Sequence, residues 1–121
     1  MSTNLWQRIE GFVIFIFGIY LAQHVSPGFS ISYGLIVFFI PDFSLLGYFF
    51  GKRVGAHLYN FTHFYGLSLV IMLMSYVYVS NHYLAVGALL FAHCGFDRML
   101  GYGLKDLEGF RITHLGIIGR K

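Results

Sequence analysis

The chain has 121 residues, of which 57% are hydrophobic, 20% aromatic and 11% charged, with a formal net charge of +3. Soluble domains average roughly 25% charged residues, so this composition excludes a disordered chain and argues against a water-soluble domain. A membrane helix needs about 20 apolar residues, and the length accommodates three or four of them with no room for an appended soluble catalytic domain. The eight Lys and Arg residues are scattered; a nucleic-acid partner would want them clustered on one face, so none is expected. The single cysteine, Cys94, cannot form an internal disulfide.

The predicted fold is all-α, a polytopic membrane protein of four transmembrane helices in one membrane-embedded domain covering residues 1–121. The first span is read at about residues 9–24. Its end, Ala22-Gln23-His24-Val25, lacks the small-x-small pattern of a cleaved signal peptide and further apolar segments follow, which favours a retained helix. Ser26-Pro27-Gly28 marks a turn. The second span, about residues 29–50, is interrupted by Pro41-Asp42 and is expected to be kinked or broken there. The third, about residues 54–79, carries His57, Tyr59, Asn60, Thr62 and His63. After Ser80-Asn81, a fourth span is read at about residues 82–100, followed by a Gly-rich, basic, solvated or interfacial tail over residues 101–121.

On this scheme every basic residue falls on one side: Arg8, then Lys52 and Arg53, then Arg98, Lys105, Arg111, Arg120 and Lys121. The positive-inside tendency then places both termini in the cytoplasm.

Ionisable groups in apolar spans cost roughly 2.5–3.5 kcal/mol each on insertion scales and need a partner or a function. At a rise of about 1.5 Å per residue, His63 lies roughly 13 Å beyond Val54 and His93 roughly 16 Å beyond His82 from the other side. The two meet at similar depth in a core about 30 Å thick. Asp97 follows His93 by four residues, on the same helix face, and Asp42 sits at the break of the second span. Asp42, His63, His93 and Asp97 are therefore expected to converge. Two imidazoles and two carboxylates suit a divalent ion, zinc first and manganese or iron next. Polar residues that only hydrogen-bond across helices would explain the same pattern. His57 is about 120° from His63 around its helix and is left out of the set.

Four blocks suggest a family. They are Pro41-Asp42-Phe43-Ser44-Leu45-Leu46-Gly47-Tyr48; Tyr59-Asn60-Phe61-Thr62-His63; Ala92-His93-Cys94-Gly95-Phe96-Asp97-Arg98-Met99-Leu100-Gly101-Tyr102-Gly103-Leu104-Lys105; and Thr113-His114-Leu115-Gly116-Ile117-Ile118-Gly119. Together they resemble the bacterial membrane proteins grouped as domain of unknown function 4260, over nearly the whole chain. A more distant similarity is to bacterial inner-membrane proteins described as membrane-bound metal-dependent hydrolases, which share Pro-Asp, an intramembrane His and His-x-x-x-Asp in that order. That resemblance implies a joint role for Asp42, His63, His93 and Asp97. Phe43-Ser44 replaces a second Asp, and Asn60 replaces a further His-type motif, so one ion is expected rather than two.

The expected function is a metal-dependent hydrolase at the cytoplasmic membrane face, in which the ion activates water against a lipid-like or phosphate-containing substrate. Arg98, Lys105 or His114 would bind an anionic group, with Glu10 and Asn60 supporting the site from behind. The alternatives are a non-catalytic membrane protein whose polar cluster locks its helices, a small transporter, and a bundle holding haem between His63 and His93.

Overall fold

The computed structural model describes residues 1–119; Arg120 and Lys121, counted above among the basic residues of the tail, lie outside them. The chain forms α1 (Thr3–Val25), α2 (Ile31–Phe39), a 3-10 helix (Ile40–Phe50), α3 (Lys52–His63), α4 (Tyr65–Tyr78) and α5 (Asn81–Leu100). The strands β1 (Ile112–Thr113) and β2 (Gly116–Ile117) pair antiparallel in the tail.

The helix ends follow from local chemistry. The Ser2 hydroxyl accepts from the Leu5 amide at the start of α1, and the Ser30 hydroxyl accepts from the Tyr33 amide at the start of α2. Pro41 cannot donate the amide that an α-helix needs there, and the chain tightens from α to 3-10 just before it. The carbonyl left over at Pro41 accepts from the Ser44 hydroxyl at 2.7 Å and the Thr62 hydroxyl at 3.3 Å. Those bonds fasten the 3-10 helix to α3 and hold Asp42 in place. At Pro41 the helix changes type but continues, so Ile31–Phe50 is one helical unit and not the broken span expected there.

Two further sequence expectations fail. Four spans are not supported: two helical units, Thr3–Val25 and Ile31–Phe50, are long and apolar enough to cross a membrane. A third qualifies if Lys52–His63 and Tyr65–Tyr78, bent by 45°, count as one span. The segment read as a fourth span, α5, is long enough but carries Asn81, His82, His93, Asp97 and Arg98. It is also the most enclosed helix, packed by α1, α2 and α4. A helix covered by protein has no need of an apolar surface, so α5 gives no membrane-span signal.

The segment 54–79 is likewise not one rod. Phe64 is extended, with φ −93° and ψ 148°, and ends α3 directly after His63.

Helix α5 can be central because small residues line its seams. An added Cβ at Gly95 would lie 2.6 Å from the Gly11 carbonyl oxygen, and one at Gly18 would lie 2.6 Å from the Ala88 carbonyl oxygen. Backbones of α1 and α5 thus approach as closely as small residues allow in membrane helix pairs. The core adds Ala22, Val37, Ala85, Ala88 and Leu89.

The tail is anchored to the bundle at a few points, although most of its described residues are exposed. Lys105 and Thr113 are buried. Asn60 on α3 donates to the Lys105 carbonyl at 2.8 Å and accepts from the Lys105 amide at 2.6 Å. Lys105 also bridges to Thr113, adding to the small β-hairpin. At the other side of the tail, Asn4 donates to the Leu115 carbonyl at 3.0 Å.

Candidate metal centre

Three elements deliver the cluster. The 3-10 helix brings Asp42, the last residue of α3 is His63, and α5 brings His93 and Asp97 one turn apart. His63 and His93 are 0% and 1% exposed and Asp97 is 7% exposed, whereas the Asp42 side chain is 42% exposed. The open side of the cluster is therefore the Asp42 side.

Four atoms face one another. His63 Nε2 lies 3.2 Å from Asp42 Oδ1, 3.4 Å from Asp97 Oδ2 and 3.2 Å from His93 Nε2. His93 Nε2 lies 3.2 Å from Asp42 Oδ1 and 3.7 Å from Asp97 Oδ2. One donor atom from each of the four residues falls within 4.8 Å of all the others.

These separations can be tested against coordination geometry. Ligands at about 2.0–2.1 Å from a tetrahedral ion stand roughly 3.3–3.4 Å apart, because a tetrahedron's edge is about 1.6 times its radius. The five separations of 3.2–3.7 Å bracket that edge. The cluster is able to coordinate a divalent ion through two nitrogens and two carboxylate oxygens.

The tautomers fit as well. His63 Nδ1 is 2.8 Å from the Tyr59 carbonyl oxygen. A carbonyl only accepts, so a proton on Nδ1 satisfies this contact and would leave the Nε2 lone pair to face an ion, with the Thr62 hydroxyl also 2.9 Å from Nδ1. With His93 Nε2 opposite at 3.2 Å, two ring nitrogens share one small volume. They need either a proton or a cation between them. His93 Nδ1 is buried without a hydrogen-bond partner among the described residues.

Around the four donors stands a supporting set. The Tyr59 hydroxyl donates to Asp97 Oδ2 at 3.0 Å while its ring stacks on His63, with centroids 3.7 Å apart. Tyr59 was not expected to serve the site, although the Tyr59–His63 spacing of four puts both on one helix face. Phe38 and Phe39 meet the His93 ring edge-to-face at centroid separations of 5.1 and 6.1 Å. They wall the site on the α2 side.

The remaining expected residues divide. Arg98 is buried and donates from Nη2 to the His63 carbonyl at 3.0 Å and from Nη1 to the Tyr102 carbonyl at 2.8 Å. It clamps the end of α3 to α5 instead of facing an open anion site. Lys105 Nζ donates to the Phe110 carbonyl at 3.0 Å and sits 4.6 Å from the Tyr59 ring centre. Burial pushes its pKa down from the ordinary lysine value. Asn60 holds the tail, as described. The His114 ring accepts at Nδ1 from the Leu104 amide at 2.8 Å, and its pKa is lowered by burial and by the Arg98 guanidinium. Glu10 is exposed and joins no hydrogen bond or ion pair among the described residues, so it is not brought to the cluster. His57 is exposed and lies outside the set, as its helical phase implied.

Long apolar helices enclosing a buried His/Asp cluster define a multi-pass, membrane-associated helical protein with a site able to coordinate metal. The chain belongs to the family described as Domain of unknown function (DUF4260), whose model matches residues 4–118. No curated protein and no solved structure matches it.

Proposed function

We propose that this protein is a membrane-embedded metalloprotein that holds one divalent ion, zinc by preference, on Asp42, His63, His93 and Asp97, and uses it to hydrolyse a lipid-like substrate. The observation that carries this reading is the convergence of the two Nε2 atoms and two carboxylate oxygens at coordination-like separations. A bound ion there would supply Lewis acidity and lower the pKa of water toward neutrality. The chain's own residues do the rest. Tyr59 fixes the rotamer of Asp97, the Tyr59 carbonyl favours the Nδ1-protonated tautomer of His63, and Arg98 fixes the end of α3 through the His63 carbonyl. The half-exposed Asp42 side leaves an approach for substrate. The distant likeness to metal-dependent hydrolases supports the same donors for one ion.

The membrane in question is proposed to be a bacterial inner membrane, with both chain ends on its cytoplasmic side. Arg8 Nε donates to the Met99 carbonyl at 2.9 Å and Asn4 bonds the Leu115 carbonyl, so the start of α1 and the tail share one end of the molecule. Arg8, Arg98, Lys105 and Arg111 are carried there, which supports a cytoplasmic face.

Elemental analysis of protein purified in detergent without chelators tests the metal. Wild type is expected to carry about one zinc per chain by the single-site reading. His93→Ala should carry none while still inserting, since apolar contacts hold the helices; His82→Ala, on the same helix but away from the cluster, should match wild type. A metal-free wild type, or a fully loaded His93→Ala, sinks the reading. A Soret band on the same sample would indicate haem instead.

A further inference from the structure

An apolar groove of about 400 Å³ runs between α1, α2 and α5, within the roughly 300–1,000 Å³ of small-molecule sites. Phe15, Ile19, Phe29, Leu35, Phe38 and Phe39 form most of its wall. No charged side chain lines it. Its polar lining residues, Gln23, Ser26 and Ser30, cluster at the α1–α2 turn. Along α2, the nine residues Ile31–Phe39 give it a length of roughly 13 Å at the α-helical rise. That is close to the depth of one leaflet in a hydrocarbon core about 30 Å thick.

The inner end of the groove is closed by Phe38 and Phe39, which separate it from the metal centre; Asp42, His63, His93 and Asp97 do not line it. Phe38 and Phe39, which line it, are the two rings packed against the His93 imidazole. Phe39 caps the 3-10 helix, in which residues three apart eclipse, so Asp42 stands above Phe39 on the same side. The half-exposed carboxylate therefore lies across the Phe39 ring from the inner end of the groove.

We infer that this groove holds the hydrocarbon chain of a lipid whose ester-type linkage reaches the His63–His93 cluster past Phe39. The assignment of substrate class rests on the metal-site reading; the chain-binding groove does not. Three features select a lipid chain as occupant. The groove opens on α1 and α2, the two elements apolar enough to face hydrocarbon. It offers no charge with which to recognise a polar partner. Its roughly 13 Å admits a chain segment running from the Phe38–Phe39 end toward the α1–α2 turn. In the hydrolysis, water's hydroxyl passes to the acyl or phosphoryl group and its remaining proton to the leaving alcohol.

The test uses the full chain in phosphatidylcholine nanodiscs doped with a phosphatidylcholine bearing a photoactivatable diazirine on its acyl chain. Labelled peptides are mapped by mass spectrometry, and metal is measured on the same sample. Labelling is expected to saturate, and to concentrate on the α2 peptide and on Ile19 and Leu89. Gly34→Phe should lose that labelling with metal content unchanged, because a side chain at Gly34 points to open space beside Phe29, 3.6 Å away. Leu35→Trp is a second obstruction should the first misfold, and Val70→Trp, on the exposed side of α4, is the control. Non-saturating labelling spread over all lipid-facing helices would overturn the groove. So would Gly34→Phe splitting a dimer without loss of lipid, since the groove would then be an interface between copies. Saturable labelling on metal-free wild type would keep the chain site and overturn its role as a substrate site. Metal without saturable labelling would overturn the groove and leave the metal-site reading standing.

Discussion

Tyr59→Phe isolates one hydrogen bond to a proposed ligand. The substitution keeps the ring that stacks on His63 at 3.7 Å and removes only the hydroxyl that donates to Asp97 Oδ2 at 3.0 Å. A hydrogen bond to a charged group contributes about 1.5–3 kcal/mol. Part of that is lost equally from metal-free and metal-bound protein and shows as stability. The part that bears on affinity is the orientation of the carboxylate, whose loss at outer-sphere partners costs roughly 10–100-fold, or about 1.4–2.7 kcal/mol. Competition against a chromophoric zinc chelator in detergent measures this directly. Tyr59→Phe should bind zinc about 10–100-fold more weakly, while Tyr76→Phe, on a residue 84% exposed, should bind as wild type does. An unchanged zinc affinity accompanied by a lower melting temperature would refute the reasoning, because Tyr59 would then be a packing residue and Asp97 would not depend on it.

Gly95→Ala should destabilise the protein by about 1–3 kcal/mol through overpacking, since its Cβ would stand 2.6 Å from the Gly11 carbonyl oxygen and 2.7 Å from the Phe15 amide nitrogen. Detergent-denaturation midpoints should separate it from Gly34→Ala, whose nearest neighbour is 3.6 Å away; equal midpoints would contradict the close α1–α5 seam. The tail should loosen on acidification. His114 has its pKa lowered in the folded tail by burial and by Arg98, so the released tail takes up a proton first, and docking weakens as pH falls through about 6.5. Protonation at Nδ1 also removes the acceptor for the Leu104 amide. Proteolysis of residues 101–119 should accelerate below that pH in wild type but not in His114→Asn; a pH-independent rate would count against it. An impermeant maleimide should label Asn4→Cys and Leu107→Cys from the same side of the membrane and Pro27→Cys from the other, whereas labelling of the first two from opposite sides would exclude a shared end.

Much of the cluster was legible in the sequence because it depends on short-range regularities. His93 and Asp97 share a face by helical periodicity alone, Pro41 must disturb a helix wherever it sits, and the depths of His63 and His93 follow from rise per residue. The exclusion of His57 came from the same arithmetic. Tyr59 was within reach of the same argument, four residues before His63, but its partner Asp97 belongs to another helix, and only packing sets that distance.

The span count was beyond such reasoning. Hydropathy reports what faces lipid, and α5 faces protein on most sides, so its polar residues are compatible with deep burial and its charge pattern could not establish a crossing. The bend at Phe64 depends on how its ring packs over Gly66, which no periodicity encodes. Arg98, Lys105 and His114 looked free to bind an anion because a sequence shows charges without their partners. Tertiary structure supplies those partners, the carbonyls of His63, Tyr102 and Phe110 and the Leu104 amide. A buried cation is kept only where such groups satisfy it, and in this protein they come from chain segments brought together by folding.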